Sequence, residues 1–280
     1  MPEWLISTDP VPELAPLPGG WDLFPRGAPF SPLLADPREP RTELACLRMH
    51  LPGEVRNTGF AFLGDTFGMI EYRWADRGSG DYDSIQLAAQ GFVTPQVGFS
   101  GDLRGKLINV DFILGPVLSV RQGPFSARLR VYHQSSHLGD EFMQVRPAVT
   151  RVNLSYESAE LLGAYTHEHC RAYGGGAYKV RIDPNSIQRG ELHLGAECRT
   201  PWRFLVIGRF GAAYDIRMYE LSDWKPSHSA ELALEMGQGD PTRRNFKVLG
   251  QYYNGYNPFG QFSLEPSRIS YYGLGVRFSY

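Results

Sequence analysis

The segment from Pro124 to Phe142, PFSARLRVYHQSSHLGDEF, holds the residues best suited to chemistry. In an extended chain successive side chains point to opposite sides, so Phe125, Ala127, Leu129 and Val131 share a face with His133 and Ser135. Ser126, Arg128, Arg130, Tyr132 and Gln134 take the other face. A serine hydroxyl is a weak nucleophile, and an adjacent imidazole can remove its proton as the oxygen attacks an ester carbonyl. His133 and Ser135 stand two residues apart on one strand face, the spacing such a contact needs. Their face is otherwise apolar, so the pair would meet an oily phase. The competing reading makes both ordinary rim residues in a headgroup zone, where polar groups cost little.

A working imidazole also needs a group that orients it. Asp140, in the loop that follows, and Gln144, with the phase and rim of His133, are the candidates. Asn153 is expected to point inward, because Val152 and Leu154 claim the outer face, and to lie near the opposite rim. His167-Glu168-His169-Cys170 offers a second cluster. Alternation splits it between two faces, so one metal ion could not use all four, and no metal site is assigned. Gly174-Gly175-Gly176 lacks the strand-to-helix setting and lysine of a phosphate cradle and is read as loop.

Strands must position these residues. From about residue 42 onward, short runs of alternating polarity recur about every 20 residues, and twelve can be counted. The clearest are 107–121, 124–135, 188–198, 203–218, 227–236 and 269–280; the sixth and seventh are placed at 146–156 and 160–170. In the last run Tyr272, Leu274, Val276, Phe278 and Tyr280 fall on one side, and Gly273, Gly275, Arg277 and Ser279 on the other. An even number of strands brings both ends of a closed barrel to one rim. Residues 122–124, 157–159 and 199–201 then read as short turns at that rim, and 136–145, 171–187 and 255–268 as longer loops opposite. The expected fold is all-β: a closed antiparallel transmembrane β-barrel of about 12 strands. A soluble sandwich shares the alternation but has no reason to end on an aromatic residue.

Composition agrees. The 280 residues carry a net charge of −2, without the basic excess of a nucleic-acid binder. Mean hydropathy is −0.31, and no run approaches the roughly 18 apolar residues of a spanning helix. Barrel strands need only about 10 residues with one apolar face. Residues 1–40 hold ten of the 21 prolines, which resist helix and central strand alike. They are read as an irregular periplasmic arm able to enter the barrel, with the barrel itself over 41–280. The inward faces carry both signs of charge (Arg128, Arg130, Asp111, Glu191, Glu197, Arg209, Glu231, Glu235). Pairing of these charges would fill a narrow lumen and disfavour an open channel for small solutes. Residues 1–20 lack the basic start and apolar core of a secretory signal, so the chain is expected to be written without its export leader. Cys46, Cys170 and Cys198 cannot all pair internally and are read as free thiols.

The His133-Gln134-Ser135 sequence resembles the outer-membrane phospholipase A and lipid A deacylase families, barrels that use a His-x-Ser pair on an outward strand face. Ser136 follows where those families usually place Asn. The phospholipase family is twelve-stranded and orients its histidine with an Asn on the next strand. LLADPREPR (Leu33 to Arg41), YHQSSHLGDEF (Tyr132 to Phe142) and the terminal YYGLGVRFSY resemble, over about residues 30–280, an uncharacterised family of bacterial outer-membrane barrels classed only as a domain of unknown function. These resemblances imply an outer-membrane location, outer-membrane lipid as partner, and insertion by the barrel assembly machinery through the strand ending at Tyr280. The leading expectation is an integral outer-membrane barrel of unassigned activity. The alternative is a serine acyl hydrolase on outer-leaflet lipid, with Ser135 as nucleophile and His133 as base.

Overall fold

The computed structural model describes residues 20–76, 82–203, 208–237, 245–265 and 267–279. Thirteen strands form one sheet: β1 (Trp21–Leu23), β2 (Thr42–Leu51), β3 (Glu54–Asp76), β4 (Tyr82–Gly98), β5 (Leu107–Gln122), β6 (Phe125–Leu138), β7 (Leu154–His167), β8 (Cys170–Asp183), β9 (Gly190–Arg199), β10 (Gly208–Tyr219), β11 (Pro226–Gly237), β12 (Asn245–Tyr256) and β13 (Arg268–Ser279). Each of β2 to β13 pairs antiparallel with its neighbours in sequence, and β13 pairs back onto β2. The result is a closed twelve-stranded barrel with no free edge. β3 is long enough to serve two partners on one side: residues 54–62 pair with β2, and residues 70–72 pair with the short β1.

The alternation read from the sequence is the alternation of the wall. On β13, Tyr272 and Leu274 face outward while Tyr271 and Arg277 are buried inside; Tyr280 lies outside the described residues. The outward set around the barrel is large and oily, with Leu232 and Leu274 exposed by 69% and 70%. A sandwich would press those faces together. Here they point away from one another, and the polar faces meet instead.

Of the proline-rich arm expected over 1–40, residues 1–19 lie outside the described residues and 21–23 form β1; the remainder supplies the filling. After β1, Phe24 takes a left-handed φ of 57° and donates its N–H to the Met69 carbonyl, turning the chain off the wall. Residues 25–41 then thread the lumen, and most of their side chains are buried. Proline suits this path because a chain crossing a barrel has no ladder to join. Arm and wall are joined by charge. Glu39 meets Arg128 and Arg130, and both arginines also meet Glu160. Asp36 accepts from Arg217 at 2.7 Å, and Arg217 also meets Glu191. Arg277 bridges Glu43 and Glu231, at 2.7 and 2.5 Å. Above this layer lies an aromatic cluster that includes Phe60, Phe62, Phe92, Tyr132, Tyr156, Tyr253, Phe259 and Tyr271. The lumen is occupied by paired ions and rings, as the inward charges implied.

Several expectations are corrected. The sixth and seventh barrel strands run over 154–167 and 170–183, further along than 146–156 and 160–170. The supposed turn at 157–159 is mid-strand, and the turn is instead at Glu168-His169, where Glu168 has φ 50°. Much of the supposed loop 171–187 is β8. The glycine run misled: a Cβ on Gly175 would sit 2.0 Å from the Leu161 carbonyl oxygen, so these glycines permit close strand approach inside the wall. Lastly, Cys170 and Cys198 are directly opposed on β8 and β9 and form a disulfide, leaving Cys46 as the free cysteine. The strand shift concealed that pairing from sequence spacing.

Candidate functional site

β6 carries the residues with chemistry. Its inward side chains Arg128 and Arg130 are locked in the lumen network, which fixes strand rotation and holds the opposite face outward. On that face Leu129, Val131 and His133 are exposed and Ser135 is half-buried. The register places His133 opposite Leu114 of β5 and Glu157 of β7, and Ser135 opposite Phe112 and Ser155. Directly opposed residues in an antiparallel pair point to the same side, with side chains close enough to touch.

Glu157 completes the arrangement. Its Oε1 lies 3.1 Å from His133 Nδ1. An ionised carboxylate can only accept, so Nδ1 carries the proton in this contact and Nε2 is left free to take another. The side chains of His133 and Glu157 are 50% and 39% exposed, open to whatever surrounds the barrel. A carboxylate, an imidazole and a hydroxyl thus lie on one face of the outer wall, with Glu157 in contact with His133 and Ser135 two residues further along β6. Arg181 of β8, the register partner of Glu157 on its other side, is exposed at the same level. His137, two residues beyond Ser135, packs its ring edge-on to Phe112 at 6.0 Å.

The other candidates lie elsewhere. Asp140 starts a short helix, α1 (Asp140–Val145), and its carboxylate accepts from Arg151 at 2.5 Å. Gln144 is exposed on the same helix. Neither contacts His133. Asn153 precedes β7, near the rim at which β6 ends. His167 ends β7 and His169 lies in the β7–β8 turn, at the end of the barrel opposite the loops that follow β6. Sequence reasoning missed Glu157 because the strand shift put it in a turn. The available signal was its odd number: Ser155, Glu157, Ala159 and Leu161 form one alternating face once β7 starts at Leu154.

Over residues 8–280 the chain matches a family described as protein of unknown function (DUF1207). No curated protein matches. Among solved structures, outer membrane phospholipase A from Escherichia coli superposes with TM-score 0.53 at 12% identity, covering 85% of this chain and 90% of that one. The Salmonella typhi outer membrane phospholipase dimer with bound calcium gives TM-score 0.53 at 11% identity, with 88% and 94% covered. At such identities the likeness is one of fold.

Proposed function

We propose a function for a chain that belongs to the DUF1207 family of proteins of unknown function: an outer-membrane barrel that hydrolyses acyl esters of lipid at its outer surface. Several observations support the membrane location. The barrel exterior is apolar around its circumference, the fold is that of an outer-membrane phospholipase, and the Cys170–Cys198 disulfide suits the oxidising side of an inner membrane. Outer-membrane lipid is then the surrounding phase, and the β13 terminus is the element on which barrel assembly would act.

The contact between His133 Nδ1 and Glu157 Oε1 carries the catalytic reading. In the proposed reaction Ser135 Oγ attacks the ester carbonyl and forms the C–O bond, while its proton moves to His133 Nε2. Glu157 steadies the resulting imidazolium. His133 returns the proton to the departing alcohol, and water then frees the fatty acid by the same route. The site opens sideways, so an acyl chain reaches it without leaving the bilayer, and Arg181 places a cation near an anionic headgroup.

The test uses detergent-solubilised protein and a fluorogenic acyl ester. Ser135→Ala should abolish turnover, and His133→Ala should lower it by about 10²- to 10⁴-fold. Equal activity in wild type and Ser135→Ala, or none in either, removes the hydrolase reading and leaves a barrel with a polar rim.

A further inference from the structure

At the loop-bearing mouth of the barrel, above the arm, lies a cavity of about 250 Å³. Arg38 and Lys179 line it together with Tyr156, Tyr219, Ile187 and Leu264. Deeper in the lumen, Arg128, Arg130, Arg171, Arg217, Arg277 and Lys247 each meet a carboxylate. At the mouth the pattern changes. Arg38 donates to the Pro258 carbonyl at 3.1 Å and to the Tyr156 hydroxyl at 2.7 Å, both neutral acceptors. Lys179 Nζ sits over the rings of Tyr156 and Tyr219, at 5.4 and 5.9 Å. Among the described residues neither cation forms an ion pair with a carboxylate.

The nearby acids are committed elsewhere or stand at the margin. Glu191 is held by Arg217. Glu220 accepts the backbone N–H groups of Arg189 and Gly190, at 3.0 and 2.9 Å, and Glu265 is exposed at the rim. Half-buried cations are costly without a counter-charge, and a mostly apolar cavity with a few convergent polar groups is the usual form of a small-ligand site.

From this geometry we infer that the cavity binds a soluble small anion, a carboxylate or phosphate carried on a ring-bearing or apolar body. The anionic oxygens lie between Arg38 and Lys179, and the body packs on Tyr219, Ile187 and Leu264. The site is independent of the Ser135 patch, which is on the outside of the wall. It is a receptor site with a closed floor, because Asp36 and Arg217 seal the lumen beneath.

Calorimetric titration of the full chain in detergent provides the test, with phenyl phosphate, inorganic phosphate and phenol as probes. Phenyl phosphate should bind best, inorganic phosphate more weakly, and phenol not measurably. Lys179→Met should weaken phenyl phosphate at least about tenfold, the loss of one contact to a charged group, while the variant still folds, because Lys179 forms no ion pair among the described residues and the substitution gives up only its contacts with the Tyr156 and Tyr219 rings. Ser135→Ala should bind as wild type does. No binding at millimolar probe, equal binding of phenol, or full affinity in a folded Lys179→Met variant would each overturn the inference.

Discussion

Exchanging Glu157 for Gln keeps size and an acceptor oxygen but removes the charge that would stabilise an imidazolium on His133. A hydrogen bond to a charged group contributes about 1.5–3 kcal/mol, so turnover of Glu157→Gln should fall by about 10- to 10²-fold, less than for His133→Ala. Asp140→Asn, whose carboxylate is engaged with Arg151 on the loop side, should leave the rate unchanged in the same ester assay. This contrast separates the two acids that could be assigned as orienter. His133 and Ser135 could be read from the sequence, since alternation along a single strand sets their shared face. Glu157 could not, since its meeting with His133 depends on the register between two strands, and a one-residue change of register reverses every side chain.

Among the elements, the β8–β9 hairpin and α1 illustrate what local sequence conceals. Cys170 opens β8 and Cys198 nears the end of β9, separated by 28 residues along the chain and adjacent across the ladder. Alkylation of the unreduced, denatured protein should therefore add one label, on Cys46, and reduction should raise the count to three by mass spectrometry; three labels without reduction would show the pair unformed. At the loops, Arg146 after α1 binds Asp102 and Glu54, and the guanidinium holds the Asp102 carboxyl below its usual value of 3.8. The end of α1 is thereby tied to the loop before β5 and to the start of β3. The boundaries of β2, β5, β9 and β11 to β13 were legible because each run has one clean alternation, whereas residues 204–207 of the run read as 203–218 lie outside the described residues. β7 and β8 were not, because the glycines that let strands approach closely have the same composition as a loop.

For the whole molecule, the arm and the lumen charges form one unit. Asp36 and Glu160 are fully buried, and Arg217 contacts both, at 2.7 and 3.6 Å. Replacing Arg217 by Met leaves those carboxylates with fewer partners, and breaking a buried pair costs about 3–5 kcal/mol; the variant should unfold at a clearly lower temperature by circular dichroism in detergent. Glu265→Gln, at the exposed rim, should not. Because the arm occupies the lumen, planar bilayers containing the protein should show no stepwise conductance, and discrete current steps would contradict a filled barrel. The amino-acid sequence by itself determined the inside-out, closed twelve-stranded plan, because a period of two with one oily face needs only the pleat of a single strand. It also determined which side of β6 carries His133 and Ser135. Only the tertiary structure decided that Glu157 joins them, that Cys170 bonds Cys198 and that Arg38 and Lys179 line one cavity at the mouth, since each brings together distant segments whose meeting is fixed by register and closure.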